Sequence, residues 1–170
     1  INNEVFVANE GNDSLTVYGR TETGNIAPVR TISGASTGLS GPNSLAVDTV
    51  NDQLFVAARW HKNSITVYGR TDSGNVTPRR TIMYGESTDL DYPRGIAVDT
   101  VNDQIFVTGY WRNNSISVYR RTDSGNVTPI RSISGESTGL SNPDGIAVDT
   151  INNQVFVANG GNDSITVYGL

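Results

Sequence analysis

The chain has 170 residues and a mass of 18.2 kDa, is 36% hydrophobic, and carries a net charge of −5, with one lysine (Lys62) against eleven arginines. That length buries the core of one domain, and without a basic stripe the chain is not expected to bind nucleic acid. No run approaches the roughly eighteen apolar residues of a membrane span, and with no cysteine there is neither a disulfide nor a thiolate metal site.

In chain order, residues 5–18 read "VFVANEGNDSLTVY", two β-branched strands around an Asn/Gly/Asp turn. A turn-rich "RTETGNIAP" (20–28) follows, then the link "SGASTGLSGP" (33–42), which ends on Pro42. The next unit opens after Pro42 and turns at "DTVNDQ" (48–53). It then passes through "AARWHKNS" (57–64) and "RTDSGNVTP" (70–78), and leaves by "MYGESTDLDYP" (83–93). The third unit repeats this course through "TGYWRNNS" (108–115), "PIRSIS" (129–134) and "SGESTGLSNP" (134–143). The last begins with "GIAVD" (145–149) and continues as "QVFVAN" (154–159) and "SITVY" (164–168).

The course is one unit of about fifty residues, written three and a half times. Phe6, Phe55, Phe106 and Phe156 mark it, 49, 51 and 50 residues apart, and Tyr18, Tyr68, Tyr119 and Tyr168 keep the same rhythm. The short connections predict antiparallel pairing and no helix. Strands apolar on both faces need cover on both faces, so the sheets are expected to stack. "NPDGIAVDTINNQVFVANGGNDSITVY" (142–168) resembles NHL repeats, and its second half is similar to the YVTN repeat of bacterial surface and lactonase-like propellers.

The expected fold is therefore all-β, a β-propeller of four-stranded antiparallel blades. The chain divides into a partial blade 1–41, blades 42–92 and 93–142, and a partial blade 143–170. It starts at a second strand and stops at a third, giving fourteen strands. Fewer than about four blades do not close a ring, so a longer chain or oligomerisation is expected to complete it. A start in mid-blade without Met favours the longer chain.

Two of the four turn types hardly vary between copies, and the other two hold all the individuality. The turn between second and third strands and the link between blades contain Arg59, Trp60, His61 and Lys62, then Tyr84 and Tyr92, then Tyr110, Trp111 and Arg112. Successive turns of an up-and-down blade alternate between faces, so these loops are expected to share one face. Trp60 and Trp111 occupy equivalent positions. They offer flat platforms for a sugar ring or a partner's side chain, or alternatively pack over their own hairpins or the next blade.

Other residues have structural readings. Asp48, Asp99 and Asp149 open tight turns and are expected to accept backbone N–H groups. Asn12, Asn63, Asn114 and Asn162 fit turn positions with unusual backbone angles. Asp89 and Asp91 are read as solvated loop acids rather than as a cation site. Asn12, Asn75, Asn113, Asn126 and Asn162 head N-x-S/T sequons.

The resemblance implies related enzymes, lactonases and the virginiamycin B lyase, yet no catalytic residue of theirs maps onto this sequence. The expected function is a non-catalytic binding or assembly module with no cofactor and no metal. It would contact protein or carbohydrate through the loop face (Arg59, Trp60, His61, Tyr84, Tyr92, Tyr110, Trp111 and Arg112), self-associating to close the ring. An extracellular or bacterial cell-surface location is expected. The alternatives are a segment of a lactonase- or lyase-type enzyme whose catalytic residues lie elsewhere, and a structural subunit of a surface layer or fibre.

Overall fold

The computed structural model describes residues 3–60, 63–110 and 114–170. Among them, β1 (Glu4–Asn9), β2 (Ser14–Gly19) and β3 (Arg30–Ile32) form the first sheet. The second is β4 (Pro42–Asp48), β5 (Gln53–Ala58), β6 (Ser64–Gly69) and β7 (Arg80–Met83). The third is β8 (Pro93–Asp99), β9 (Gln104–Gly109), β10 (Ser115–Arg120) and β11 (Arg131–Ile133), and the fourth is β12 (Pro143–Asp149), β13 (Gln154–Asn159) and β14 (Ser164–Gly169). All pairings are antiparallel between consecutive strands. The chain is all-β, a partial β-propeller of four-stranded blades whose two end sheets show three strands each. Two single 3-10 turns, Glu10–Asn12 and Glu136–Thr138, depart from the expectation of no helix. Both sit in polar loop segments that one short turn closes.

Each local feature follows from residue chemistry. Pro42, Pro93 and Pro143 lack an N–H and so stand at the first position of their strands. A register shift follows each of them. Asp48 closes the next turn, its Oδ1 accepting the N–H of Val50 (2.9 Å) and Asn51 (2.8 Å) and its Oδ2 accepting Asn51 Nδ2 (2.9 Å). Asp99 and Asp149 repeat the same three bonds.

The core lies between sheets rather than within them. Phe6, Leu15 and Ile32 of the first sheet pack against Val47, Leu54, Val56 and Tyr68 of the second. Phe55, Ile65 and Val67 then meet Ile96, Ile105 and Tyr119, and Phe106, Ile116 and Val118 meet Val155, Val157 and Tyr168. One face of each blade thus presents Phe, Ile and Val, and the facing side of the next presents Leu, Ile or Val and Tyr. Strand β6 is buried along its whole length, whereas β14 alternates because only one of its faces is covered.

The first strands of the sheets are the innermost ones, with β4 beside β8 and β8 beside β12. The outer edges of the first two sheets are covered by the next blade. Gly74 N–H donates to Thr31 O (2.7 Å) and Ser33 N–H to Gly74 O (3.1 Å), and Gly125 bonds to Thr81 and Met83 in the same way. A loop laid along an outer strand blocks the open edge that would otherwise template aggregation.

Candidate functional site

The alternation of turns puts the variable loops together. Arg59 N–H donates to Gly41 O and Trp60 N–H to Ser40 O, each at 3.2 Å, so the loop after β5 is bonded to the link before β4. Tyr110 N–H donates to Tyr92 O (3.2 Å), and Gly160 N–H to Asn142 O (3.1 Å), in the two following blades. The nearly invariant turns meet on the opposite face. There Arg70 pairs with Asp52 (2.8 Å) and Arg121 with Asp103 (2.7 Å), and Arg30 pairs with Glu4 (2.6 Å). Those pairs lie within one blade, and the same arginines also reach the blade before or after, Arg70 to Glu4 (3.5 Å), Arg121 to Asp48 (3.6 Å) and Arg30 to Arg70 O (3.2 Å).

On the variable face, Arg59 donates to both oxygens of Glu10 in the preceding blade, at 2.7 and 2.9 Å. Trp60 also hydrogen-bonds to Glu10, and Asn43 Nδ2 reaches its Oε2 at 3.4 Å. The bonds and charge of Arg59, helped by Trp60 and Asn43, hold Glu10 below the ordinary carboxylate range. The indole lies on Gly41, where an added Cβ would fall 2.3 Å from Trp60 Cδ1. Gly41 itself adopts φ 60°, and its N–H donates to Asp13 Oδ1 (2.7 Å). The result is a ring fixed from two sheets yet 50% exposed. It stands beside an open groove of about 370 Å³ lined by Glu10, Gly11, Asp13, Ser40 and Trp60.

A second cluster belongs to the third and fourth blades. The Arg94 guanidinium sits 4.4 Å above the centre of the Tyr110 ring and pairs with Asp144 at 3.0 Å. Below it, Thr108 Oγ1 accepts Gly95 N–H (2.7 Å) and donates to Asp144 O (2.9 Å). A Cβ on Gly95 would lie 2.2 Å from that same carbonyl oxygen, so the two innermost strands touch there. Tyr92 occupies the link position of Gly41 and Asn142 and, like them, has positive φ, at 48°.

The structure therefore gathers Arg59 with Trp60, and Tyr110 with Tyr92. Tyr84 is exposed immediately after the outermost strand β7, whose last residue, Met83, pairs with Ser64 at the end of the loop that carries Trp60. His61, Trp111 and Arg112 lie outside the described residues. Glu10, Asn43, Arg94 and Asp144 were missed by the sequence reading. Their signal was present: the residue after each blade proline is Asn43, Arg94 or Asp144, different in every copy.

Two readings of loop polar residues change. Asp89 is not simply solvated, because its Oδ2 accepts Ser117 Oγ (3.1 Å) and Ser132 Oγ (3.2 Å). The left-handed residue of each second-to-third turn is the one directly before the serine: Asp13, Asn63, Asn114 and Asp163. Asn12 and Asn162 instead accept the hydroxyls of Ser14 (2.7 Å) and Ser164 (2.6 Å). The loop of the middle blades is one residue longer, which shifts the alignment of the asparagines by one.

That extra length has a consequence underneath. In the end blades Asn9 donates to Ser14 Oγ (3.3 Å) and Thr16 Oγ1 (3.0 Å), and Asn159 bonds Ser164 and Thr166 likewise. The middle blades have Ala58 and Gly109 at that position. Among the described residues, Ser64 Oγ, Thr66 Oγ1 and Ser115 Oγ are consequently buried without a partner. No cluster of three His, Cys, Asp or Glu side chains able to hold a metal occurs among the described residues.

The family model for "Lactonase, 7-bladed beta-propeller" matches residues 2–140. No curated protein matches the chain in sequence. Among solved structures, a chain of the nidogen/laminin complex superposes with a TM-score of 0.73 at 15% identity, over 99% of this chain and 57% of that one. A chain of Kuenenia stuttgartiensis hydrazine synthase superposes with a TM-score of 0.70 at 16% identity, over 98% of this chain and 43% of that one. The chain thus spans about half the length of the solved chains it matches, and at such identities the likeness is one of fold.

Proposed function

This chain belongs to the lactonase family of seven-bladed β-propellers, and from that premise we propose that it is a non-catalytic binding module that takes a sugar ring or a partner's side chain on its variable loop face. The observation that carries the reading is Trp60, half exposed beside a groove and held in place by Glu10 and Gly41. An aromatic platform already fixed loses little entropy on binding, and the carboxylates of Glu10 and Asp13 beside it accept hydroxyl or amide protons. A second observation supports it. The middle blades leave buried hydroxyls unpaired where the end blades pair them, the kind of local cost that accumulates where a loop serves something other than stability.

The test is binding of the chain and of its Trp60→Ala variant to an immobilised glycan panel, with thermal unfolding run in parallel. Loss of binding by at least tenfold with a Tm within about 3 °C of the parent supports the module. A large fall in Tm with binding intact assigns Trp60 to packing.

The family match favours a second reading, a segment of a lactonase whose chemistry lies in other blades. Hydrolysis of δ-valerolactone, followed as acid release, separates the two when a longer chain that carries these blades is assayed beside the 170-residue chain. Turnover by the longer chain above the buffer rate, with none by the 170-residue chain, would place these blades in an enzyme, and no turnover by either would leave the binding module.

A further inference from the structure

The groove beside Trp60 has a lining of a particular chemical kind. Among the described residues it is walled by Glu10, Gly11, Asp13, Ser40 and Trp60, so it holds two carboxylates and an indole but no cationic side chain. Its walls are the loops after β1 and β5 and the link between them, and none of the exposed strand residues of the first or last sheet lines it. The donors around it are already engaged. Arg59 donates to both oxygens of Glu10, and the Trp60 indole and the Asn43 amide are turned to the same carboxylate. Arg59 thereby balances the charge of Glu10. Asp13 is different: its Oδ1 accepts Gly41 N–H, and among the described residues its Oδ2 takes no bond and no cation pairs with it. The fold does not need that charge, because Asn114 makes the equivalent bond in the third blade, accepting Asn142 N–H at 2.8 Å. Glu10 is likewise peculiar to this groove, since the fourth blade's "ANGGNDS" has Gly160 where "ANEGNDS" has Glu10.

We propose that the ligand of this groove is a cationic side chain, a lysine or arginine of a partner protein, an assignment that rests on the binding-module reading. An ammonium or guanidinium has donors and no acceptor. That matches a groove whose open polar atom is the Oδ2 of Asp13 and whose indole, amide and guanidinium donors are already spent on Glu10. A sugar ring would bring acceptors for which those donors are no longer available. The same cation is attracted to the electron-rich face of an aromatic ring, for which tryptophan is the best of the three, and Trp60 is half exposed and already held in place. The net charge of −5 adds a longer-range pull on basic partners.

The experiment is a saturation-transfer NMR titration of the chain with three probes: acetyl-Gly-Lys-Gly amide, the same peptide with norleucine in place of lysine, and methyl β-glucoside. Norleucine keeps the aliphatic stem of lysine and lacks the ammonium. The lysine peptide is expected to bind about fivefold more tightly than the norleucine peptide, the worth of an exposed ion contact together with a ring contact. Asp13→Asn is expected to bring that preference below about twofold at parental Tm, because the charge is lost while the bond to Gly41 is kept. Trp60→Ala is expected to weaken both peptides. Equal binding of the two peptides, or an undiminished preference in Asp13→Asn, overturns the assignment and leaves the binding module standing. Binding of the glucoside without the lysine peptide overturns it in favour of a glycan ligand. Binding of none of the three also overturns it, and if the glycan panel is silent as well, the module reading falls with it.

Discussion

Two residues show how much of the candidate site is set by single side chains. Tyr92 is bulky and not glycine, yet it holds φ 48° where the neighbouring links have Gly41 and Asn142. A left-handed backbone at such a residue costs about 1–2 kcal/mol, and backbone strain of this kind concentrates at functional loops. Glu10 carries the other decisive interaction. Its carboxylate is depressed by Arg59, so the folded protein favours the ionised form and the clasp is fully present above the unfolded value, about 4.3. It is lost as pH falls through the lower folded value. In a Trp111→Phe background, Trp60 fluorescence is expected to change with a midpoint below about 4.3, and Glu10→Gln is expected to remove the transition. A midpoint at or above that value would show that Arg59 does not hold Glu10 in solution.

At the scale of one element, the β5–β6 hairpin illustrates a trade. Asn9 and Asn159 tie their hairpins to the serine and threonine of the following strand, while Ala58 leaves Ser64 and Thr66 untied beneath the Trp60 loop. Ala58→Asn is expected to restore the bonds and raise stability by about 1 kcal/mol, a net hydrogen bond's worth, measured as a shift in the urea midpoint. A lower midpoint would mean that the longer loop has taken the space. The hairpins themselves were legible in the sequence, since strand periodicity and Asn/Asp/Gly turns are local properties. Which residue of the turn is left-handed was not, because one inserted residue moves the asparagine relative to the serine. The partnership of Glu10 with Arg59 was equally hidden, because 49 positions separate them and nothing local links a glutamate to an arginine in the next blade.

For the molecule as a whole, the repeat acts through the interfaces between blades, and identical residues differ in worth with their place in the array. Phe55 is buried between the second and third blades, so Phe55→Ala is expected to cost about 3–5 kcal/mol. Phe156, the same residue 37% exposed on the last sheet, is expected to cost below about 1.5 kcal/mol when replaced by alanine in the 170-residue chain. Equal losses in thermal unfolding would show that burial between blades does not set the worth of this phenylalanine. The sequence by itself determined the all-β propeller fold, the four sheets, and the segregation of variable from invariant turns, because strand pairing here is consecutive and the alternation of turns is a matter of parity. Only the tertiary structure decided that Glu10 and Asn43 join Trp60 and that Arg94 and Asp144 join Tyr110. Each of these depends on the distance between blades, and packing sets that distance while sequence spacing does not.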